Sequence, residues 1–276
     1  MTRPILLAAV DLGPHSRAVV DRAMAHAVEH DAEVVILHCD EASDPEAGER
    51  MAALLTDLPR GRVRDVRMEV GTAVDVILRE ADDLDARMVV VGASDRSFLE
   101  QVFRGSVTVA LTRRNRRPTL VARTAVAGPY RQALVAVDLN APVAPVAAAV
   151  RTLLGPLVEV ELFTVIDEAM RLQMIAAEAE RADVEAHDEQ SLREAYRVLT
   201  TAAGAVAEPG WAPRTHVVRG MPSREIGARV EALAADLLVL QPEAKGPFLR
   251  ALIGSLTEDI LARPLDCDVL ILPAQA

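Results

Sequence analysis

The feature that most constrains this chain of 276 residues is that it contains itself twice. ILLAAVD at 5–11 returns as QALVAVD at 132–138, each a short apolar run ending in aspartate, so Asp11 and Asp138 stand 127 residues apart. VGTAVDVI at 70–77 returns as RGMPSREI at 219–226, and ARMVVV at 86–91 returns as ADLLVL at 235–240. GSVT at 105–108 returns as GSLT at 254–257, and these later matches all keep a spacing of 149. Self-similarity at one fixed order means one supersecondary plan used twice, with an insertion in the second copy of about 22 residues. The extra length falls between Asp167 and Glu208, where Glu, Arg, Ala and Leu recur at helical spacing with few breakers. That stretch predicts one long amphipathic helix around 170–205, which either packs on its own half or serves as a lid or partner-binding surface.

Within each half, apolar runs of strand length alternate with helical periodicity. Strands are predicted near 4–11, 33–39, 64–70, 87–92 and 118–123, then near 132–138, 158–165, 213–219, 236–241 and 268–273. This alternation implies right-handed βαβ crossovers and parallel sheets. The expected fold class is therefore α/β: two tandem Rossmann-like domains, 1–125 and 131–276, each a five-stranded parallel sheet flanked by helices. Thr124 to Tyr130 forms the linker, with Gly128-Pro129 as its turn. Apolar residues make up 51% of the chain but aromatics only 3%, so aliphatic side chains must fill the interior, as they do in parallel sheets covered on both faces. The fifth strands, at 118–123 and 268–273, would be open edges if each half stood alone. Their mutual pairing in an intramolecular pseudo-dimer is expected, with a further homodimer allowed but not required.

A formal charge of −11 repels polyanions and excludes a general nucleic-acid binder. The local exception, Arg113, Arg114, Arg116 and Arg117, reads as cations complementing a helix C-terminus. Cys39 and Cys267 have neither metal-ligand nor disulfide spacing, and no apolar run long enough to span a bilayer is present, so a reducing cytoplasmic setting without membrane contact is expected.

In an open parallel sheet, ligands bind beyond the carboxyl ends of the strands, where strand order reverses. Asp11, Cys39 and Gly92 end the first, second and fourth strands and would share that crevice. Downstream, Gly105-Ser106 offers free backbone N–H groups and a hydroxyl suited to phosphate oxygens. A catalytic group is harder to find: His15, His26, His30, His38, His187 and His216 are scattered, the P-loop lysine motif is absent, and no metal cluster stands out. No catalytic or metal-binding residue is therefore assigned.

The order of elements, Asp11 at its strand end, Gly71 before the third helix, and Val91-Gly92-Ala93-Ser94-Asp95, then nine residues, then Gly105-Ser106-Val107-Thr108 together resemble the universal stress protein family. The likeness covers nearly the whole chain, twice. In the ATP-binding branch of that family the motif is Gly, two residues, Gly, nine residues, Gly, then Ser or Thr. The resemblance implies that Ala9, Val10 and Asp11 flank a nucleoside, that Cys39 offers backbone to adenine, and that Val91, Gly92 and Ser94 line the pocket. It further implies that Gly105, Ser106, Val107 and Thr108 contact ribose and phosphates, with ATP and Mg²⁺ as the expected cofactors in the first domain. The departure there is Asp95, which stands where the motif has its second glycine and puts a carboxylate near phosphate. Two like charges about 4 Å apart repel by about 1 kcal/mol in water and by more in a drier crevice. In the second domain Gln241 and Ala244 replace the first two glycines, and no cofactor is expected there. The expected function is a stress-response regulator binding an adenine nucleotide in the first domain and acting on unknown protein partners. The alternatives are a non-nucleotide-binding interaction protein of the same fold and, behind both, a slow ATPase.

Overall fold

The computed structural model describes residues 3–40, 44–59, 61–93, 107–125, 128–139, 141–168, 174–177, 181–241, 256–257 and 259–273. All ten expected strands are present. They are β1 Ile5–Val10, β2 Glu33–Asp40, β3 Val63–Val70, β4 Met88–Gly92, β5 Thr119–Ala122, β6 Gln132–Ala136, β7 Glu159–Asp167, β8 Arg214–Gly220, β9 Leu237–Leu240 and β10 Asp268–Ile271. Between them run α1 Ser16–Glu29, α2 Ala47–Leu54, α3 Ala73–Asp83, α4 Val107–Arg114, α5 Val143–Leu154, α6 Arg181–Val206 and α7 Pro222–Leu233.

The chain divides into two compact units, Met1–Pro129 with Asp268–Ala274, and Tyr130–Cys267 with Gln275–Ala276. In the first unit β3, β2, β1, β4 and β5 lie side by side and parallel. Every residue of β1 is buried, as a strand covered on both faces must be. In the second unit β9, β6, β7 and β8 form a parallel sheet in the same order.

Where the two fifth strands were expected to pair with each other, they do so through β10. It follows the second unit in sequence, yet it groups with the first and pairs antiparallel with β5, setting Val269 against Val121 and Leu270 against Leu120. The edge of β5 is thereby covered, and the first unit's sheet has six strands of which one is antiparallel. Asp268, wholly buried at the start of β10, explains the attachment. Its Oδ1 accepts from the backbone N–H groups of Arg123 at 2.7 Å and Thr124 at 3.1 Å, and from the Thr124 hydroxyl at 3.1 Å. Its Oδ2 lies 2.6 Å from Nε of Arg22 on α1. Arg22 also donates through Nη1 to the Gly128 carbonyl at 3.0 Å. A buried carboxylate is tolerable only with this degree of compensation.

The repeat is visible in backbone detail. Gly71 and Gly220, at the ends of β3 and β8, have φ of +146° and +148°, a conformation that side chains strongly disfavour. Position 80 and its counterpart 229 each carry a charge that meets a buried or part-buried opposite partner, but with the signs exchanged. Glu80 pairs with Arg67 and Arg79, whereas Arg229 holds Glu161 with two hydrogen bonds of 2.7 Å.

The long helix appears as α6, 26 residues whose Ala195, Leu199, Ala202 and Ala203 form the buried stripe against α5, β7 and β8 of its own unit. Its outer face carries the pairs Arg181–Glu185, Arg193–Glu189 and Arg197–Glu194. Of the arginine cluster at 113–117, Arg114 reaches Asp75 on α3, and Arg117 binds Asp85, Asp82 and the Ala86 carbonyl. These are ion pairs to acidic residues near the end of α4.

Candidate functional site

The order β3-β2-β1-β4 places the reversal of winding between β1 and β4. Their pairing runs Leu6–Met88, Leu7–Val89 and Ala8–Val90, and stops there, although β1 continues through Val10 and β4 through Gly92. Two residues of each strand therefore extend past the last shared rung, which leaves an opening between the strand ends. On the other side β2 also outruns β1: the last β1–β2 pair is Val10–His38, and β2 continues through Cys39 and Asp40.

The corresponding strands of the second unit behave differently. β6 and β9 pair through Val135–Val239 and again through Ala136–Leu240, the last residue of each. Ala136 and Leu240 correspond by the repeat to Ala9 and Val91, so one rung that is open in the first unit is closed in the second. The side chains of Val135, Val239 and Leu240 at this place are buried.

Around the first unit's opening, Ala9, Val10 and Val91 are buried, and the ends of the strands turn outward at Asp11 and Gly92. Asp11 is exposed and already employed: its Oδ1 accepts the Gly13 N–H at 2.8 Å and the Ser16 hydroxyl at 2.8 Å. Those bonds fix the turn that leads into α1, where Leu12 adopts φ of +59°. A carboxylate has further acceptor positions beyond those two, so Asp11 can still take a hydroxyl donor at this strand end. Gly92 lacks a side chain for a packing reason as well, since a Cβ there would come within 3.3 Å of Val19 Cγ2 and 3.9 Å of His15 Cβ on the α1 side. The same bareness that admits α1 keeps the crevice floor open.

His38 ties the two strand ends together. Its Nδ1 lies 2.9 Å from the Val10 carbonyl, which only accepts, so that nitrogen carries the proton. Its Nε2 faces Asp40 Oδ2 at 3.3 Å. In the second unit Thr164 does the same work with a hydroxyl, donating to the Val137 carbonyl at 2.9 Å. Both side chains satisfy the first carbonyl left over where the strand pairing ends. Burial first, with Glu69 and Glu80 adding, pushes the Cys39 thiol up to about 11. A thiol so raised stays in its neutral form at physiological pH.

Val107 and Thr108 begin α4, and Val107 is exposed. Ser94, Gly105 and Ser106, together with Asp95, lie outside the described residues, as do Ala244, Gly254 and Ser255 of the second copy. Sequence reasoning set the histidines aside as scattered, and for two of them the structure differs. His26 and His30 stand one helical turn apart on α1 with ring centroids 4.2 Å apart, and Glu29 lies beside them. The i, i+4 spacing was the available signal.

A doubled α/β unit with an opening at the carboxyl edge of one sheet defines a tandem protein of the Rossmann-like class. The sequence profile of the universal stress protein family matches residues 1–123 and again 129–273, and the chain belongs to that family. Among solved structures it is similar over 98% of its length to a putative universal stress protein from Pseudomonas aeruginosa UCBPP-PA14, covering 93% of that chain with 17% identity and a TM-score of 0.67. A functionally unknown protein of Pseudomonas aeruginosa PAO1 is similar over 99% of this chain and 93% of its own, at 17% identity and a TM-score of 0.66. A universal stress protein from Archaeoglobus fulgidus DSM 4304 is similar over 99% of this chain and 97% of its own, at 17% identity and a TM-score of 0.62. At such identity these likenesses establish the fold. Among curated proteins nothing matches. No helix among the described residues is long and apolar enough to cross a membrane.

Proposed function

We propose that this chain is a stress-response regulator that binds an adenine nucleotide, ATP with Mg²⁺ in the first instance, in its first unit alone. The observation that carries the reading is the register: β1 and β4 part after Ala8–Val90, whereas their counterparts stay paired to the strand ends. The open rung leaves Ala9 and Val91 unpaired with each other beside the strand ends, and the Ala136–Leu240 rung closes the corresponding place in the second unit. The bare Gly92 and the neutral Cys39 fit an uncharged base and sugar. Asp11 fits a hydroxyl donor rather than a phosphate.

The phosphates would then lie toward Gly105, Ser106, Val107 and Thr108, with Mg²⁺ offsetting the Asp95 carboxylate. Binding and release of the nucleotide, rather than turnover, is the proposed role. Calorimetric titration of nucleotide-stripped protein with ATP and Mg²⁺ tests this, alongside Asp95→Gly and Gly105→Asp. One ATP per chain, lost in Gly105→Asp, is the expected result. A silent wild type that gains binding in Asp95→Gly would show instead a crevice closed by that carboxylate, and an interaction protein.

A further inference from the structure

We propose that His26, Glu29 and His30 form a binding site for a late first-row divalent cation of the Zn²⁺ type at the C-terminal end of α1. The three side chains offer one ligand atom each, and all three atoms lie within 4.8 Å of one another. A tetrahedral ion with bonds of about 2.1 Å needs ligand atoms about 3.4 Å apart, so small rotations of the side chains close the set. Two imidazoles and a carboxylate select Zn²⁺, Co²⁺, Ni²⁺ or Cu²⁺ over the oxygen-seeking Mg²⁺ and Ca²⁺. Three protein ligands leave the fourth position to water.

The local structure favours this occupancy in three ways. The Nε2 atom of His30 is buried yet makes no hydrogen bond, and it lies 3.8 Å from Glu29 Oε2, a gap that an ion could bridge. Glu29 is the last residue of α1 and His30 its C-cap, where the helix dipole presents its negative end to a cation. His26 is buried beside His30, with the two ring centroids 4.2 Å apart, so both imidazoles face the same space. Glu29 is exposed and gives a path from solvent.

The groups facing the cluster from neighbouring elements are Arg22 on α1 itself and Arg87 at the start of β4. Both are cationic and oppose a metal ion. Arg22 is already matched by the buried Asp268, which limits its effect. The site sits at the amino-terminal edge of the first unit's sheet. About 20 Å of helix separate it from the turn at Asp11, so it is distinct from the nucleotide crevice and does not depend on it.

The test uses the full chain without an affinity tag, treated with chelator and freed of nucleotide. Cobalt(II) is added and visible absorption followed, with zinc(II) competing and with thermal melting as a second readout. The expected result is about one equivalent of Co²⁺ with the intense bands of a four-coordinate ion, displaced by Zn²⁺, and a melting temperature raised by Zn²⁺. His30→Ala and Glu29→Gln should each weaken binding at least about tenfold, the least that loss of even an outer partner costs. Their far-UV spectra and chelator-treated melting curves show whether they are folded. Absence of the cobalt bands and of a zinc-dependent melting shift in wild type overturns the proposal. So does binding that survives unchanged in both folded variants.

Discussion

Replacing Asp268 with alanine should cost the first unit about 3–5 kcal/mol, the range for breaking a buried ion pair on one side only. The magnitude follows from the surroundings. Asp268 is 0% exposed and Arg22 only 5%, so removing the carboxylate strands a guanidinium where water cannot replace its partner. It also orphans the N–H groups of Arg123 and Thr124 and the Thr124 hydroxyl. At about 3 °C per kcal/mol, a fall of about 10 °C in the first thermal transition is expected. Asp268→Asn should be milder, because its carbonyl oxygen can keep the three donors and only the charge is lost. Adding Arg22→Met to Asp268→Ala should recover part of the loss, but not all, since the backbone donors stay unsatisfied. Urea unfolding followed by far-UV circular dichroism measures the effect. Fluorescence of Trp211, the chain's one tryptophan and a buried residue of the second unit, follows that unit separately. An Asp268→Ala protein melting within about 2 °C of wild type would refute the reasoning, because no buried, uncompensated arginine costs so little.

Gly220→Ala should destabilise the second unit by about 1–3 kcal/mol, from φ of +148° together with a Cβ only 2.8 Å from Glu225; urea midpoints check it, and pairing with Glu225→Ala should relieve only the steric part. Arg229→Met should cost about 3 kcal/mol by stranding the buried Glu161, and Glu161→Met in the same chain should restore most of it, as a double-mutant cycle would read. Burial alone would raise the Glu80 carboxyl, but hydrogen bonds from Arg67 and Arg79 hold it below its ordinary value near 4.5. A group depressed in the folded state lends stability that is complete above the unfolded value and is lost as pH falls through the folded one. Stability should therefore decline below about pH 4.5 less steeply in Glu80→Gln than in wild type, as urea midpoints at successive pH values would show.

The ten strands were legible because each is a short apolar run between breakers, a signal that periodicity and turn residues carry locally. The repeat multiplied that signal, since Gly71 and Gly220 each announce the same turn and do adopt the same φ. The pairing of β10 with β5 was legible as two open edges that could cover each other, but the contact that holds it was not: Asp268 meets Arg22, 246 positions away, and no local pattern links them. His26 and His30 escaped notice for another reason. The spacing was visible, but only the structure shows that both rings sit on the same face within 4.2 Å, one buried and the other with an unbonded nitrogen.

The contrast between the two strand-end regions is a matter of one rung, and the residues say why it is decisive. In the first unit the chain leaves the sheet at Asp11, and that carboxylate draws Gly13 and Ser16 into a turn that starts α1 immediately. Gly92 leaves room for Val19 of that same helix, so the helix can approach while the β4 end stays clear. In the second unit the place of Gly92 is taken by Gln241, and the preceding Leu240 is buried and paired with Ala136. A leucine locked into the ladder cannot at the same time turn its backbone to a ligand. If the first unit binds a nucleotide as proposed, restoring glycine at 241 alone should not add a second site, because the closed Ala136–Leu240 rung stays in place. A second equivalent of ATP bound by Gln241→Gly in the same calorimetric titration would show that side-chain bulk, and not register, separates the two halves.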